Sequence, residues 1–180
     1  MAHFDGRIIV VQSANEAESA LAYLYKQGAV GFDTETRPAF KKGQKNKISL
    51  LQLATEDTCF LFRLNYIDFP ESLVAFMSDE KVDKIGLSLK DDFAAMKKRA
   101  TFTPQGFVDL QQMVQDYGIN DQSLQKIYAI LFGEKISKSQ RLSNWDVDIL
   151  SDAQKKYAAL DAFACLRIYN KLKELTKNEL

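Results

Sequence analysis

Asp33 and Glu35 stand two residues apart in the stretch "GFDTET", behind the apolar "AV" and on either side of Thr34. Burying an ionised carboxylate is costly unless something pairs with it. In a strand, residues i and i+2 share a face, so these two charges point the same way and repel. A bound divalent cation is the common remedy. A strand end at a sheet edge, with both groups solvated, is the other arrangement this stretch allows. A second pair lies in "YAALD", where Tyr157 and Asp161 fall on one helix face and can reach a common point. An exposed helix face accounts for that spacing equally well. In "LKDDFAAM", Asp92 sits at helical spacing from Met96, on the first turn of an amphipathic helix, where an acidic residue also serves as a cap or a dipole charge. Asp91 suits the capping role better and leaves Asp92 free. Together, and in this order, the three elements are far more specific than any one of them.

Composition removes several other chemistries. The single histidine, His3, lies near the N-terminus, so Ser-His-Asp, Cys-His and His-rich zinc sites are ruled out unless His3 folds in. Lys plus Arg and Asp plus Glu both number 24, which excludes a strongly basic nucleic-acid binder while leaving room for a local basic patch. Cys59 and Cys165 are far apart among apolar residues and are expected to be reduced core residues of a cytoplasmic protein. No apolar run approaches the roughly 20 residues of a membrane span, and no secretory leader is evident, so no membrane partner is expected.

The elements that must position these groups follow from periodicity. "RIIVV" predicts a first strand, and "SANE" at Ser13–Glu16 a capping box that opens a helix stopping near Gly28. "AVGFDTE", "KISLLQLAT" and "TCFLFRL" predict an antiparallel meander. Then follow a helix at "PESLVAFMS", a strand at "VDKIGLS", a helix at "DDFAAMKKRA", a short strand at "GFVDL", and helices to the end. The last helix opens on a capping box at Ser151–Gln154 and buries Leu160, Ala164, Ile168 and Leu172. A chain of 180 residues with no repeat or linker predicts one domain of α/β class, a mixed central sheet with helices on both faces.

"FDTE", "KIGLSLKDDFAAM" and "SNWDVDILSDAQKKYAALDA" resemble the three exonuclease motifs of the DEDD superfamily, and the tyrosine of "YAALD" marks its tyrosine branch. The similarity runs from about residue 25 to about residue 175 and is strongest to Werner-type exonuclease domains, with ribonuclease D next. The resemblance implies a ribonuclease H-like fold and 3′-to-5′ hydrolysis that releases nucleoside 5′-monophosphates. Asp33, Glu35, Asp92, Tyr157 and Asp161 are the catalytic residues it carries over. It further implies two Mg²⁺ or Mn²⁺ ions per site, in keeping with all-oxygen ligands. Asp33 would bridge them, Glu35 and Asp161 would complete one, Asp92 would hold the other, and Tyr157 would orient the attacking water.

The nucleic-acid partner would meet the loop "RPAFKKGQKNK". Its Arg37, Lys41, Lys42, Lys45 and Lys47 are placed to contact phosphate and its Phe40 to stack on a base, although such a charge run also fits a solvated loop. Lys138 and Arg141 are weaker candidates of the same kind. Trp145 is expected to pack, Gly86 to allow close backbone approach, and Gln52 to be a core polar group. The last helix runs close to the end of the sequence, which favours the Werner-type reading and DNA over RNA; ribonuclease D-like processing of RNA 3′ ends, or a catalytically silent relative that binds nucleic acid or a protein, are the alternative readings.

Overall fold

The computed structural model of the protein describes residues 1–178. Every residue of β3 (Ile48–Ala54) and β4 (Thr58–Arg63) is buried, which requires cover on both faces of the sheet. The remaining strands are β1 (Arg7–Val11), β2 (Ala29–Thr36), β5 (Asp83–Gly86) and β6 (Phe107–Asp109). The sheet order is β1-β4-β3-β2-β5-β6, with β2, β3 and β4 antiparallel as the meander requires and the β1–β4, β2–β5 and β5–β6 pairs parallel.

Helices α1 (Ala14–Leu24), α3 (Glu71–Met77) and α4 (Leu89–Lys97) cover one face, through residues such as Leu21, Leu24, Phe76 and Met96 packed against Phe32 and Leu51. Helices α6 (Leu124–Phe132) and α7 (Asp152–Asn178) cover the other, where Ile127, Tyr128, Ala158 and Ala162 meet Leu50 and Leu61. Single turns at α2 (Leu64–Ile67) and α5 (Leu110–Met113) complete the connections. The chain is therefore α/β with a mixed sheet and helices on both faces. Cys59 and Cys165 are both buried free thiols, as their apolar surroundings imply. Among the described residues, no helix is long and apolar enough to cross a membrane.

Alternation along β2 assigns its residues to the two faces. Gly31, Asp33 and Glu35 face α7, while Phe32 and Thr34 face α4. At Gly31 the α7 backbone comes so close that an added Cβ would lie 1.8 Å from the Ala162 carbonyl oxygen. No side chain fits there. Gly86 is similarly confined, 2.4 Å from a Leu89 methyl, as expected for a glycine beside the second motif.

The start of α7 is fixed by its sequence. Ser151 Oγ accepts the Gln154 N–H at 3.1 Å and Gln154 Oε1 accepts the Ser151 N–H at 2.9 Å, a reciprocal capping box. Gln154 Nε2 also donates to Ser143 Oγ (2.8 Å) and the Asn144 carbonyl (3.1 Å), tying down the segment before the helix. Arg63, 1% exposed at the end of β4, donates to the Asp148 carbonyl at 2.7 Å and to that of Val147. The register of α7 against the sheet is thus held at its start as well as at Gly31.

Candidate active site

The site forms where β2 outruns its neighbour. β5 pairs only with Ala29–Gly31, so the carboxyl half of β2 borders β3 alone, with Asp33 opposite Gln52 and Glu35 opposite Leu50. The register shifts between Glu35 and Thr36, and the chain leaves the sheet there. Across this notch lies α7, whose Ala158 carbonyl accepts a 3.2 Å hydrogen bond from Gln52 Nε2. That bond sets the turn of helix between Tyr157 and Asp161 over the strand.

Asp33, Glu35 and Asp161 each offer a carboxylate oxygen, and these oxygens all lie within 4.8 Å of one another. Asp161 is 6% exposed, and its Oδ1 is buried without a hydrogen-bond partner. Burial, then the charges of Glu35, Asp161 and Asp92, push Asp33 well above the usual carboxylate range. Burial and the charges of Asp161 and Asp92 raise Glu35 to about 9, and burial raises Asp161 to about 7. Native proteins rarely leave such a group unsatisfied, and three converging hard oxygen donors with one orphaned lone-pair set fit a divalent metal ion. The sheet-edge strand end is overturned, because β2 is a central strand whose Asp33 and Glu35 are half-buried against α7, with Asp161 buried above them.

Tyr157, one turn before Asp161, stands half-buried with its ring 6.0 Å from that of the fully buried Trp145. Burial and the charges of Asp161, Glu35 and Asp33 raise its phenol, with Arg141 opposing. The hydroxyl therefore keeps its proton across the physiological range and is a donor facing anions. Trp145 packs, as its sequence context implies.

Asp92 reaches the notch from the other face of the sheet and stands apart from the trio. Helix α4 begins at Leu89, earlier than the sequence indicates, and this corrects the role given to Asp91: it is an exposed third residue of the helix and not its cap. The cap comes from the end of β6. Asp109 accepts the N–H of Ser88 on Oδ1 (3.1 Å) and that of Leu89 on Oδ2 (3.0 Å). Ser88 itself adopts the left-handed conformation at φ 59°, a strain of about 1 kcal/mol that the Asp109 bonds offset. Asp92 is raised to about 6, by burial, with a Thr34 hydrogen bond pulling the other way. Neither Thr34 nor Asp109 was flagged by motif spacing. Alternation alone places Thr34 on the α4 face, and a lone aspartate at a strand end gives no sign of capping a helix twenty residues earlier.

The basic loop leaves β2 directly at the site. Arg37, Lys41, Lys42, Lys45 and Lys47 are all exposed and Phe40 is 80% exposed. Asn46 Nδ2 donates to the Arg37 carbonyl (2.8 Å) and the Pro38 carbonyl (3.2 Å), closing the loop on itself. Lys138 and Arg141 are exposed on the approach to α7, and Arg141 is near enough for its charge to act on Tyr157.

A mixed sheet in this order, crossed by a long helix that brings a carboxylate over a strand-borne pair, fits the DEDD superfamily that the motifs resemble. A family model described as 3′-5′ exonuclease matches residues 8–177, and the chain belongs to that family. The bifunctional 3′-5′ exonuclease/ATP-dependent helicase WRN of Mus musculus is 29% identical over 96% of the chain, which spans 13% of that relative's length. The crystal structure of the Aedes aegypti Nibbler EXO domain superposes with a TM-score of 0.87 at 25% identity, covering 100% of this chain and 95% of that one. Escherichia coli RNase D, described as an exoribonuclease involved in structured RNA processing, shares the fold with a TM-score of 0.84 at 20% identity, covering 96% of this chain and 46% of that one.

Proposed function

We propose that the chain is a single metal-dependent domain that removes nucleotides from the 3′ end of a nucleic-acid strand, DNA ahead of RNA, releasing nucleoside 5′-monophosphates. The observation that carries this reading is the convergence of Asp33, Glu35 and Asp161 with an orphaned Asp161 oxygen. Those three residues would hold one Mg²⁺ or Mn²⁺ ion, and Asp33 would share a second with Asp92. When bound, such cations supply a water of lowered pKa and offset charge on the phosphate and the departing 3′ oxygen.

The chain's own groups do the rest. Tyr157, its proton retained, donates a hydrogen bond that orients the attacking water, the role expected of the tyrosine branch of the superfamily. Packing under α7 buries Asp161 and half-buries Asp33 and Glu35, which strengthens the electrostatic contacts made there. The exposed cations of the 37–47 loop, with Lys138 and Arg141, track the backbone of the incoming strand, and Phe40 offers a stacking surface for a base. Preference for DNA is supported by sequence likeness to an exonuclease joined to a helicase, whereas the likeness to RNase D is one of fold.

The test is digestion of 5′-labelled and 3′-labelled DNA and RNA, single-stranded and recessed, by wild type and Asp33→Asn, with and without chelator. A 3′-labelled strand should yield labelled mononucleotide at once, only with metal and only with wild type, and faster from DNA. Faster release from RNA would reverse the substrate order. Binding without hydrolysis would mark a silent relative and defeat the proposal.

A further inference from the structure

We propose that Thr34 is a positioning residue that fixes the Asp92 carboxylate and thereby sets the affinity of the second cation site. The inference rests on the two-cation reading above and extends it to a residue that is not itself a metal ligand. Its basis is the unequal construction of the site. Asp33, Glu35 and Asp161 meet on the α7 face, where packing of a strand against a helix brings them within 4.8 Å. Asp92 belongs to α4, which is packed on the opposite face of the sheet. There Phe93 meets Phe107 edge-on at 4.9 Å between ring centroids, and Phe107 meets Phe32 at 5.2 Å. That aromatic row fixes the body of α4 against β2 but says nothing of where a side chain on its first turn points.

Thr34 supplies the missing constraint. Its hydroxyl projects from β2 between the two metal-facing residues, toward α4, and donates to Asp92 Oδ1 at 2.5 Å. A hydroxyl that donates to a carboxylate makes one of the stronger side-chain hydrogen bonds. β-branching makes the Thr34 rotamer stiff on a strand, so the hydroxyl is a fixed point. Oδ1 carries that bond, and Oδ2 is left to face a cation. The same strand that places Asp33 and Glu35 through its odd residues thus places the fourth carboxylate through the even one between them. Without the hydroxyl, Asp92 on an otherwise intact helix can swing among rotamers, and a cation must order it at the moment of binding.

The test is calorimetric titration of Mn²⁺ into wild type, Thr34→Val and Thr34→Ser in the presence of thymidine 5′-monophosphate, alongside the Mn²⁺ dependence of single-turnover cleavage. Wild type should show a tighter and a weaker step. Thr34→Val should weaken the weaker step by roughly tenfold, the scale of a lost hydrogen bond to a charged group, and shift the cleavage midpoint by the same factor. The tighter step should stay put, the metal-free melting temperature should fall by no more than one lost hydrogen bond explains, rate should recover at saturating Mn²⁺, and Thr34→Ser should lie close to wild type. An unchanged weaker step in Thr34→Val overturns the proposal. So does an equal weakening of both steps with a larger fall in melting temperature, which is the signature of a merely structural residue. Absence of Mn²⁺ binding in wild type would instead overturn the exonuclease reading on which the proposal rests.

Discussion

Asp109 caps the helix that begins at Leu89, accepting backbone N–H groups of Ser88 and Leu89 on its two carboxylate oxygens at 3.1 and 3.0 Å. One strand end therefore serves two helices, because Asp109 Oδ1 also accepts the Gln111 N–H at 3.0 Å at the start of α5.

Asp109→Ala should cost about 2 kcal/mol of stability in urea denaturation, since it leaves several helix-terminal donors without their acceptor. Asp109→Asn keeps one strong acceptor and should lose roughly half as much. Equal stability of wild type and the alanine variant would mean that water replaces the cap without cost.

The metal-free carboxylates make stability depend on pH in a sense opposite to most acidic residues. Glu35 at about 9, Asp161 at about 7 and Asp92 at about 6 all lie above the range near 4 where unfolded carboxylates titrate. Between those limits the folded chain binds more protons than the unfolded one. Stability is then greatest on the acid side of the window and falls as pH rises through it. Calorimetry with chelator should show the melting temperature dropping from about pH 5 to about pH 9, and added Mn²⁺ should restore more at the upper end. Asp33→Asn should be neutral or stabilising without metal near pH 8, while abolishing hydrolysis. A clear loss of metal-free stability in that variant would make Asp33 a structural residue.

Tyr157→Phe separates water positioning from metal binding. The ring packs beside Trp145 with or without its hydroxyl, so the fold and Mn²⁺ affinity should be unaltered. Turnover should fall by roughly 10²-fold. Asp161→Asn, one turn along, should weaken Mn²⁺ binding as well as turnover. Single-turnover cleavage across a Mn²⁺ titration measures both, and wild-type cleavage by Tyr157→Phe would reduce the tyrosine to a packing residue.

Replacing Lys41, Lys42 and Lys45 together with alanine should weaken binding to single-stranded DNA and flatten its salt dependence by up to about 2 in the log–log slope. All three are exposed in the loop that leaves β2 at the site, and the Lys41 carbonyl that accepts the Gln44 N–H is kept in the alanine variant. An unchanged slope in a fluorescence anisotropy titration would make the loop a solvated connection.

Much of this arrangement was legible in the sequence for local reasons. Period-two alternation put Asp33 and Glu35 on one face, i,i+4 spacing put Tyr157 with Asp161, and capping boxes at Ser13 and Ser151 opened their helices where expected. What was not legible depends on contacts between distant segments. The start of α4 is fixed by Asp109, which no local window around Ser88 contains. The face of the sheet on which α4 lies follows from aromatic packing among Phe32, Phe93 and Phe107. Asp92 could be nominated from its motif, but its separation from the other three carboxylates and its bond to Thr34 required the fold.

The absence of a side chain at Gly31 has a wider consequence. Any separation forced between β2 and the Ala162 carbonyl also widens the gap between Asp33 and Asp161, the residue next to Ala162. The glycine works as a spacer gauge of zero thickness, and the spread of the carboxylates is the dimension it sets. A survey of variants scored on activity alone would therefore rank Gly31 with the metal-holding residues, although it carries no functional group. One methyl group there should disable the site from within the core, out of reach of any substrate.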